Sequence, residues 1–447
     1  MAKDADVAVA DERAVAAEYP ADSGGSRFRL PTALASLNHR NYRLLWTGNL
    51  ISQTGDWMDQ IALNWLVYQL TGSAFYLGVL NLCRLAPVLV FTLVGGVIAD
   101  RVERRWLLFT TQVIAMVLAF VLAVLVSFGH VEFWMVVLIG VARGVALAFN
   151  FPARQSLISD LVPRELLTNA IALNQATMNL TRIIGPTIGG ILIVTVGVAG
   201  AFYVNGISFV AVLWGLMLMR FPPRQVRAKK GMIEDLMGGL RYIQGQPDLR
   251  MLVVIALVPM ILGMPYMTMM TVFASDVLEV GGSGLGLLTA CSGAGAVCGA
   301  LFIASRRSKT GRRRLMFVGL LGFGAALVVF ASSPWLWLSA GSLLAVGFSQ
   351  QVYNAQNNAL IQEDVDPEFR GRVLSTLFLN RGLIPLGTVV AGFGTDLFGA
   401  RVTLATMAAL LLVLALLVSR RTLARPRRAA EASAQVQAGP SSLGRSR

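Results

Sequence analysis

Ionisable side chains inside long apolar segments are the residues of this sequence that could do chemistry. Asp56 and Asp59 lie three residues apart in the first apolar segment, so a helix would place both on one face. A charge at the centre of a bilayer costs about 2.5 to 3.5 kcal/mol on insertion scales, so such residues are candidates for function. Four arginines lie well inside other apolar segments: Arg84, Arg143, Arg182 and Arg381. Two acids and four bases predict an internal charge network.

The two acids predict proton coupling through Asp56 or Asp59. Burial and a second acid favour the neutral form of a carboxylic acid, whereas a nearby guanidinium favours the carboxylate. Movement of Arg84 or Arg143 between two states would therefore switch the proton affinity of the pair. The alternative is that both acids only neutralise these arginines and hold the helices together. The sequence leaves both interpretations open.

The elements that must position these residues are apolar helices. Hydrophobic residues make up 55% of the chain and charged residues 14%, and the mean hydropathy is +0.64, which excludes a water-soluble protein. At 1.5 Å per residue, a helix needs about 20 residues to cross roughly 30 Å of hydrocarbon. Twelve segments are long enough: 45–70, 74–98, 106–128, 131–152, 168–197, 199–219, 251–275, 284–304, 315–333, 335–357, 373–397 and 402–418.

A phrase written twice, about half the chain apart, predicts two related halves. Ser156–Pro163 is followed by Arg182–Pro186, and Ala359–Pro367 is followed by Arg381–Pro385. Such repeats are typical of transporters. We predict an all-α membrane protein of twelve transmembrane helices in two six-helix halves. The predicted parts are a disordered or amphipathic N-terminal segment (1–38), two halves (39–220 and 249–420), a cytoplasmic linker (221–248) and a disordered basic tail (421–447).

The net charge of +14 predicts the orientation of the helices. With both termini in the cytoplasm, the inside loops collect nearly all the loop arginines and lysines, and the outside loops carry only Arg401, which is the positive-inside pattern. The basic residues are scattered and lack aromatic stacking partners, so nucleic-acid binding is not expected. Cys83, Cys291 and Cys298 lie in apolar segments and predict neither a disulfide framework nor a metal site.

The loop after the second segment resembles the signature loop of the major facilitator superfamily. The matching residues are Gly96, Asp100, Arg101, Arg104 and Arg105, while Glu103 stands where the family has a glycine. The resemblance implies a gating loop whose charge cluster holds one transport state. The loop at 304–313 looks like a degenerate second copy of it.

The fifth segment contains a GPxxGG motif formed by Gly185, Pro186, Gly189 and Gly190. It resembles the antiporter signature of exporters in the same superfamily, with Thr181 in place of an earlier glycine. Proline would bend the helix, and the glycines would allow a neighbouring helix to approach closely. The stretch 151–163, together with Leu-Asn-Gln at 173–175, resembles the branch that includes siderophore and macrolide exporters.

Polar and methionine side chains in other segments predict a substrate cavity. Flexible methionines adapt to bulky ligands of varied shape. The candidates are Asn64, Asn150, Gln175, Met264, Tyr266, Met267, Gln351 and Asn354.

These features together predict a secondary transporter of the cytoplasmic membrane. We expect a monomer that exports a bulky amphipathic small molecule, such as a drug, macrolide or siderophore, in exchange for protons, without a cofactor or metal. An uptake symporter or a lipid or lysolipid flippase of the same fold remains the alternative. An enzyme is disfavoured because His39 and His130 are the only histidines and lie far apart in the sequence. The sequence contains no Walker A motif, so direct coupling to ATP is not expected.

Overall fold

The computed structural model describes residues 32–219, 238, 241–306, 311–366, 369 and 383–437. This part of the chain is helical and contains no strand. Arg381 and most of the predicted linker 221–248 lie outside the described residues, as do 1–31 and 438–447. Within the helices, the side chains at 32, 33, 89, 92–97, 99–101, 156, 164, 248 and 421–437 are not described.

Helices labelled α1 to α12 follow the predicted segments in chain order. Their bounds are α1 (Arg40–Thr71), α2 (Ala74–Arg101), α3 (Arg104–Ser127), α4 (Phe133–Leu161), α5 (Leu167–Thr195), α6 (Gly197–Leu218), α7a (Pro247–Leu262), α7b (Tyr266–Val272), α8 (Gly281–Ser305), α9 (Arg312–Ser332), α10 (Leu336–Asp364), α11 (Ile384–Phe398) and α12 (Ala400–Gln437). Short 3₁₀ helices cover Thr32–Asn38 and Arg164–Leu166.

The seventh predicted segment contains a break. Helix α7a ends at Leu262, and α7b begins at Tyr266 and continues as a π-helical turn, Phe273–Val277. Because a proline has no N–H to donate, Pro259 and Pro265 each remove one helical hydrogen bond here. The sequence prediction of a single segment missed this break, although the two prolines signal it.

Eight of the described helices are long and apolar enough to cross a membrane, and two shorter apolar helices, Ala74–Val88 and Ile384–Phe398, accompany them. The helices outside this set, α1 and α10, carry five of the polar side chains that the sequence marks as functional: Asp56, Asp59, Asn64, Gln351 and Asn354. Large apolar side chains are exposed along several helices, Leu138 and Trp214 among them, as expected of a lipid-facing surface. Twelve spans and cytoplasmic termini stay predictions.

The helices form two groups that meet along two helix pairs. Helix α1 packs on α5 and α6, and α4 packs on α2 and α3; in the second group, α10 packs on α8 and α9, and α12 on α9 and α11. The groups join where α5 packs on α8 and where α2 packs on α11. We call the end of the bundle that holds Arg104 and Arg105 the basic end, and the end that holds Gly72 the opposite end.

Glycines allow the two groups to approach at backbone distance. A Cβ atom on Gly190 of α5 would lie 2.7 Å from the Cα atom of Gly286 of α8. A Cβ atom on Gly78 of α2 would lie 2.7 Å from the Cα atom of Val389 of α11. Real Cβ atoms do not approach so closely, so both helix pairs depend on the missing side chain.

Candidate transport site between the two halves

Asp59 and Arg143 form a buried ion pair between α1 and α4. Arg143 Nη1 donates to Asp59 Oδ2, and the two side chains are 7% and 0% exposed. The other oxygen of Asp59, Oδ1, is buried and has no hydrogen-bond donor among the described residues. Breaking a buried pair leaves an uncompensated charge, so this contact holds α1 against α4.

Asp56 meets the same arginine from a more open position. Asp56 Oδ1 lies 3.5 Å from Arg143 Nη2, and its side chain is 41% exposed. Gln53 and Gln60 each lie about one turn away on the same helix face, on either side of Asp56, and both are also partly exposed. A carboxylate so far from the helix ends is expected to face water rather than lipid. Asp56 and Asp59 thus share Arg143 but differ in their access to solvent.

Two further arginines surround the pair of acids. Arg84 of α2 and Arg154 of α4 are near enough to interact electrostatically with Asp56. Sequence reasoning missed Arg154. The spacing could have indicated it, because Arg154 lies eleven residues, about three helical turns, after Arg143 and so on the same face of α4.

Arg182 does not join this cluster but reaches from α5 into the other half. Its Nη2 atom donates to the hydroxyl of Tyr266 at 3.3 Å and to Gln350 Oε1 at 3.2 Å, and lies 4.0 Å from the sulfur of Met267. The Nε atom of Arg182 is buried and has no acceptor in the described part of the chain. Arg182 therefore connects α5 with α7b and α10 through neutral groups.

The neutral partners of Arg182 are themselves held in place. The hydroxyls of Tyr266 and Ser292 of α8 lie 2.7 Å apart. The amide of Gln350 is 2.7 Å from the sulfur of Met264 in the break between α7a and α7b. These contacts orient the acceptors around the guanidinium before any substrate binds.

The GPxxGG motif packs α5 against both halves. Cβ atoms on Gly185 and Gly189 would lie 2.8 Å from the carbonyl oxygen of Thr54 and 3.1 Å from the Cα atom of Met58, both on α1. Gly190 faces α8 instead, as described above. Pro186 lies inside the helix and has no N–H to donate to the carbonyl of Arg182, four residues earlier. The motif thus places Arg182 at the boundary between the two halves, where α5 contacts α1 on one side and α8 on the other.

The predicted gating loop braces the basic end within the first half. Arg104 Nη1 lies 2.5 Å from Asp160 Oδ2 at the end of α4, and Arg105 Nη2 donates to the carbonyl of Met217 at 3.0 Å. In the second half, Arg312 pairs with Glu363. Asp160 and Glu363 occupy the same place in the repeated phrase. The side chains of Gly96, Asp100 and Arg101, in the last turns of α2, lie outside the described residues.

The structure separates the predicted cavity residues into two groups. Asn64 is 4% exposed inside the first half, and Asn150 is buried and donates to Thr111 Oγ1 at 2.9 Å, so neither presents an open surface. Tyr266 is buried beneath Arg182. The other candidates are exposed or partly exposed: Gln175, Met264, Met267, Gln351 and Asn354.

Comparison with known proteins decides the family. The family model of transmembrane secretion effectors matches residues 31–443. The chain belongs to this family of major facilitator transporters. It is 28% identical to the staphyloferrin A transporter of Staphylococcus aureus, over 77% of this chain and 87% of that protein. It is 26% identical to the multidrug efflux pump Tap of Mycolicibacterium fortuitum, over 82% of this chain and 91% of the pump.

A solved structure supports the fold. The structure of a bacterial homolog of the human lysosomal transporter Spinster, in an inward-facing conformation, superposes with a TM-score of 0.68. The match is 16% identical and covers 85% of this chain and 97% of that one, so it shows the fold alone. The predicted major facilitator architecture is confirmed at this level. The transporter is a multi-pass protein of the cell membrane, and its family consists of transporters rather than enzymes.

Proposed function

We propose that this transporter exports a bulky amphipathic small molecule in exchange for protons, and that Asp56 carries the proton. The observation that carries the proposal is one guanidinium shared by two unequal acids. Arg143 is fixed by the buried Asp59, while the nearby Asp56 is partly exposed. A proton carrier must exchange protons with water, and of the two acids only Asp56 is exposed.

Proton uptake by Asp56 would couple proton movement to substrate movement, because it changes how Arg143 is shared between the two acids. When Asp56 is ionised, Arg143 is shared between two carboxylates. When Asp56 takes up a proton, it becomes a weaker partner, and Arg143 relies on Asp59. Proton loading on α1 would then alternate with substrate release. The partly exposed methionines at Met264 and Met267 provide an apolar surface for a bulky substrate.

Alternating access would occur by rocking of the two halves. In the proposed orientation the basic end faces the cytoplasm, which places both termini there and counts twelve spans. The proposed halves are 39–220 and 249–420, joined by the linker 221–248 between terminal segments 1–38 and 421–447. The two glycine contacts between halves would let the helix pairs tilt without large side chains obstructing them. We propose that one chain is the transporting unit.

Proton movement across the membrane of proteoliposomes that contain a pH-sensitive dye tests this function, because external substrate that enters by exchange must drive protons out. Erythromycin, ethidium and staphyloferrin A are added in turn to wild type, Asp56→Asn, Asp56→Glu and Asp59→Asn. We expect a substrate-driven proton flux that Asp56→Asn abolishes and Asp56→Glu retains in part. Asp56→Asn should still exchange labelled substrate across the membrane, because exchange needs no proton.

The Asp59→Asn variant separates coupling from structure. It leaves Arg143 with one partner, so we expect a lower folded yield in addition to any loss of flux. Wild-type flux in Asp56→Asn would contradict the assignment. Substrate and proton moving in the same direction would indicate uptake, and movement of a labelled lysolipid alone would indicate a flippase.

A further inference from the structure

The charged residues deep in α1–α6 do not balance. Three arginines lie at least ten residues from the nearest helix end, against two aspartates in the same position: Arg84, Arg143 and Arg182 against Asp56 and Asp59. Three positive charges minus two negative charges leave an excess of one. Unpaired charge at membrane depth is costly and is retained where it binds something.

We infer that the transported substrate is an amphipathic organic anion and that Arg182 binds its carboxylate. This rests on the proposed function for the transport step but not for binding. Arg182 lies outside the cluster around the two acids, because its neighbours are the hydroxyl of Tyr266, the amide of Gln350 and the sulfur of Met267. In contrast, Arg143 contacts both acids.

The guanidinium has the donor capacity that this role needs. Arginine carries five N–H donors in a fork that matches a carboxylate with two parallel hydrogen bonds. The contacts among the described residues use Nη2, and the buried Nε is without an acceptor. No ion pair within the described part of the chain includes Arg182. A carboxylate would thus gain donors that no protein acid has taken.

The surroundings of Arg182 suit the rest of such a molecule. Met267 beside the guanidinium and Met264 beside Gln350 are partly exposed and offer an apolar surface to the substrate body. Arg182 also bridges α5 to helices of the other half. A carboxylate that replaces these neutral contacts would change how the halves hold each other, so binding would bias their relative movement.

Binding of a matched pair of probes tests the inference. The full chain in phosphatidylcholine nanodiscs is titrated calorimetrically with 2-naphthoxyacetate and with its neutral amide. We expect wild type to bind the carboxylate about tenfold or more tightly than the amide, as one charge-assisted contact predicts. Arg182→Gln should abolish this preference without changing amide binding. Arg182→Lys should keep part of it, and Arg401→Gln, at an exposed arginine of α12, should keep all of it.

Several outcomes would overturn the inference. Equal affinities for the two probes in wild type, no carboxylate binding up to its solubility limit, or a preference that survives in Arg182→Gln would each do so. If Arg182→Gln does not fold, the wild-type probe pair and Arg182→Lys still decide. A preference that disappears when phosphatidylglycerol is added to the nanodisc would identify a lipid headgroup as the occupant, which also overturns it.

The same probes distinguish this inference from the proposed exchange mechanism. Titration measures binding alone, whereas the dye assay requires coupled movement of substrate and protons. A carboxylate preference without substrate-driven proton flux would contradict proton exchange and leave Arg182 as the anion site. Proton flux with ethidium or erythromycin and no carboxylate preference would support proton exchange and contradict the anion site at Arg182.

Discussion

The two ends of the bundle are held together in different ways. At the opposite end, the polar contacts join the two halves: Tyr68 of α1 bonds to Asp276, and Asp396 of α11 accepts the hydroxyl of Ser73 and the N–H of Ala74 at 2.8 Å. At the basic end, the ion pairs in the described part of the chain lie within each half. They join Arg104 to Asp160 and Arg312 to Glu363.

The two kinds of contact act on different properties of the transporter. Contacts between halves at the opposite end stabilise a conformation that is closed there. Ion pairs within a half stabilise that half in every conformation, since they move as one body. Changes at the opposite end should therefore shift the conformational equilibrium, and changes at the basic end should lower stability without shifting it.

The largest effect is expected for Gly286→Leu. The new Cβ would lie 2.8 Å from the carbonyl oxygen of Pro186, and the remaining side chain has no space, so the closed conformation should lose about 3 kcal/mol. That corresponds to a population change of about a hundredfold. Spin labels at Gln69 and Glu279, in a background without the three native cysteines, measure the separation of the halves at this end.

Gly341→Leu is the matched control for that change. A Cβ on Gly341 of α10 would meet nothing within 4 Å, so the spin-label distance should stay unchanged. If both leucine variants gave the wild-type distance, the glycine contact would not control closure.

Asp396→Ala should have the next largest effect. It removes the acceptor for Ser73 and for the first N–H groups of α2, as a lost helix cap does, so the closed conformation should lose about 1 to 2 kcal/mol. We expect longer spin-label distances in roughly a tenfold larger fraction of molecules. Asp396→Asn retains an acceptor oxygen and should show a smaller shift; an equal shift in both would argue against capping.

The Arg104–Asp160 pair should affect stability alone. Its side chains are partly exposed, so Arg104→Gln should lower the free energy of unfolding by about 1 kcal/mol. A cycle with Asp160→Asn isolates the pair energy in detergent-solubilised protein. The spin-label distance should not change. A lengthened distance would show that this pair also controls the opposite end.

The smallest effect is expected at the corresponding pair of the second half. Arg312 and Glu363 are more exposed than Arg104 and Asp160, so solvent screens them more, and Arg312→Gln should cost about 0.5 kcal/mol. A larger loss of unfolding free energy than in Arg104→Gln would show that exposure does not set the strength of these two ion pairs.

Some of this comparison could be predicted from the sequence. The repeated phrase indicated two related units, and its physical basis is visible in Asp160 and Glu363, which meet an arginine at the start of α3 and of α9. The sequence could not assign these partners, because each acid lies about 50 residues from its arginine. Helix α4 also extends to Leu161, beyond the predicted segment 131–152, since a helix can continue out of the apolar region with a polar face.

In the candidate site too, the sequence identified residues but not their packing or partners. Asp56 and Asp59 were identified because charge is rare and costly at membrane depth, and their spacing of three residues placed them on one face. Their unequal exposure depends on the packing of α1 against α4, which local spacing does not encode. Asn64 and Asn150 were chosen as cavity residues by type alone, and the packing of the first half buries both.

The sequence by itself determined that this protein is helical, lies in a membrane, repeats at half its length and has ionisable residues deep in its apolar segments. These properties depend on composition and periodicity, which act locally. Only the tertiary structure decided that Arg143 is shared by two acids, that Arg182 reaches neutral groups of the other half, and that Asp396 caps α2. The physical reason is that partners far apart in sequence are selected by helix packing, and at these contacts the approach is set by the backbone distances that the glycines allow.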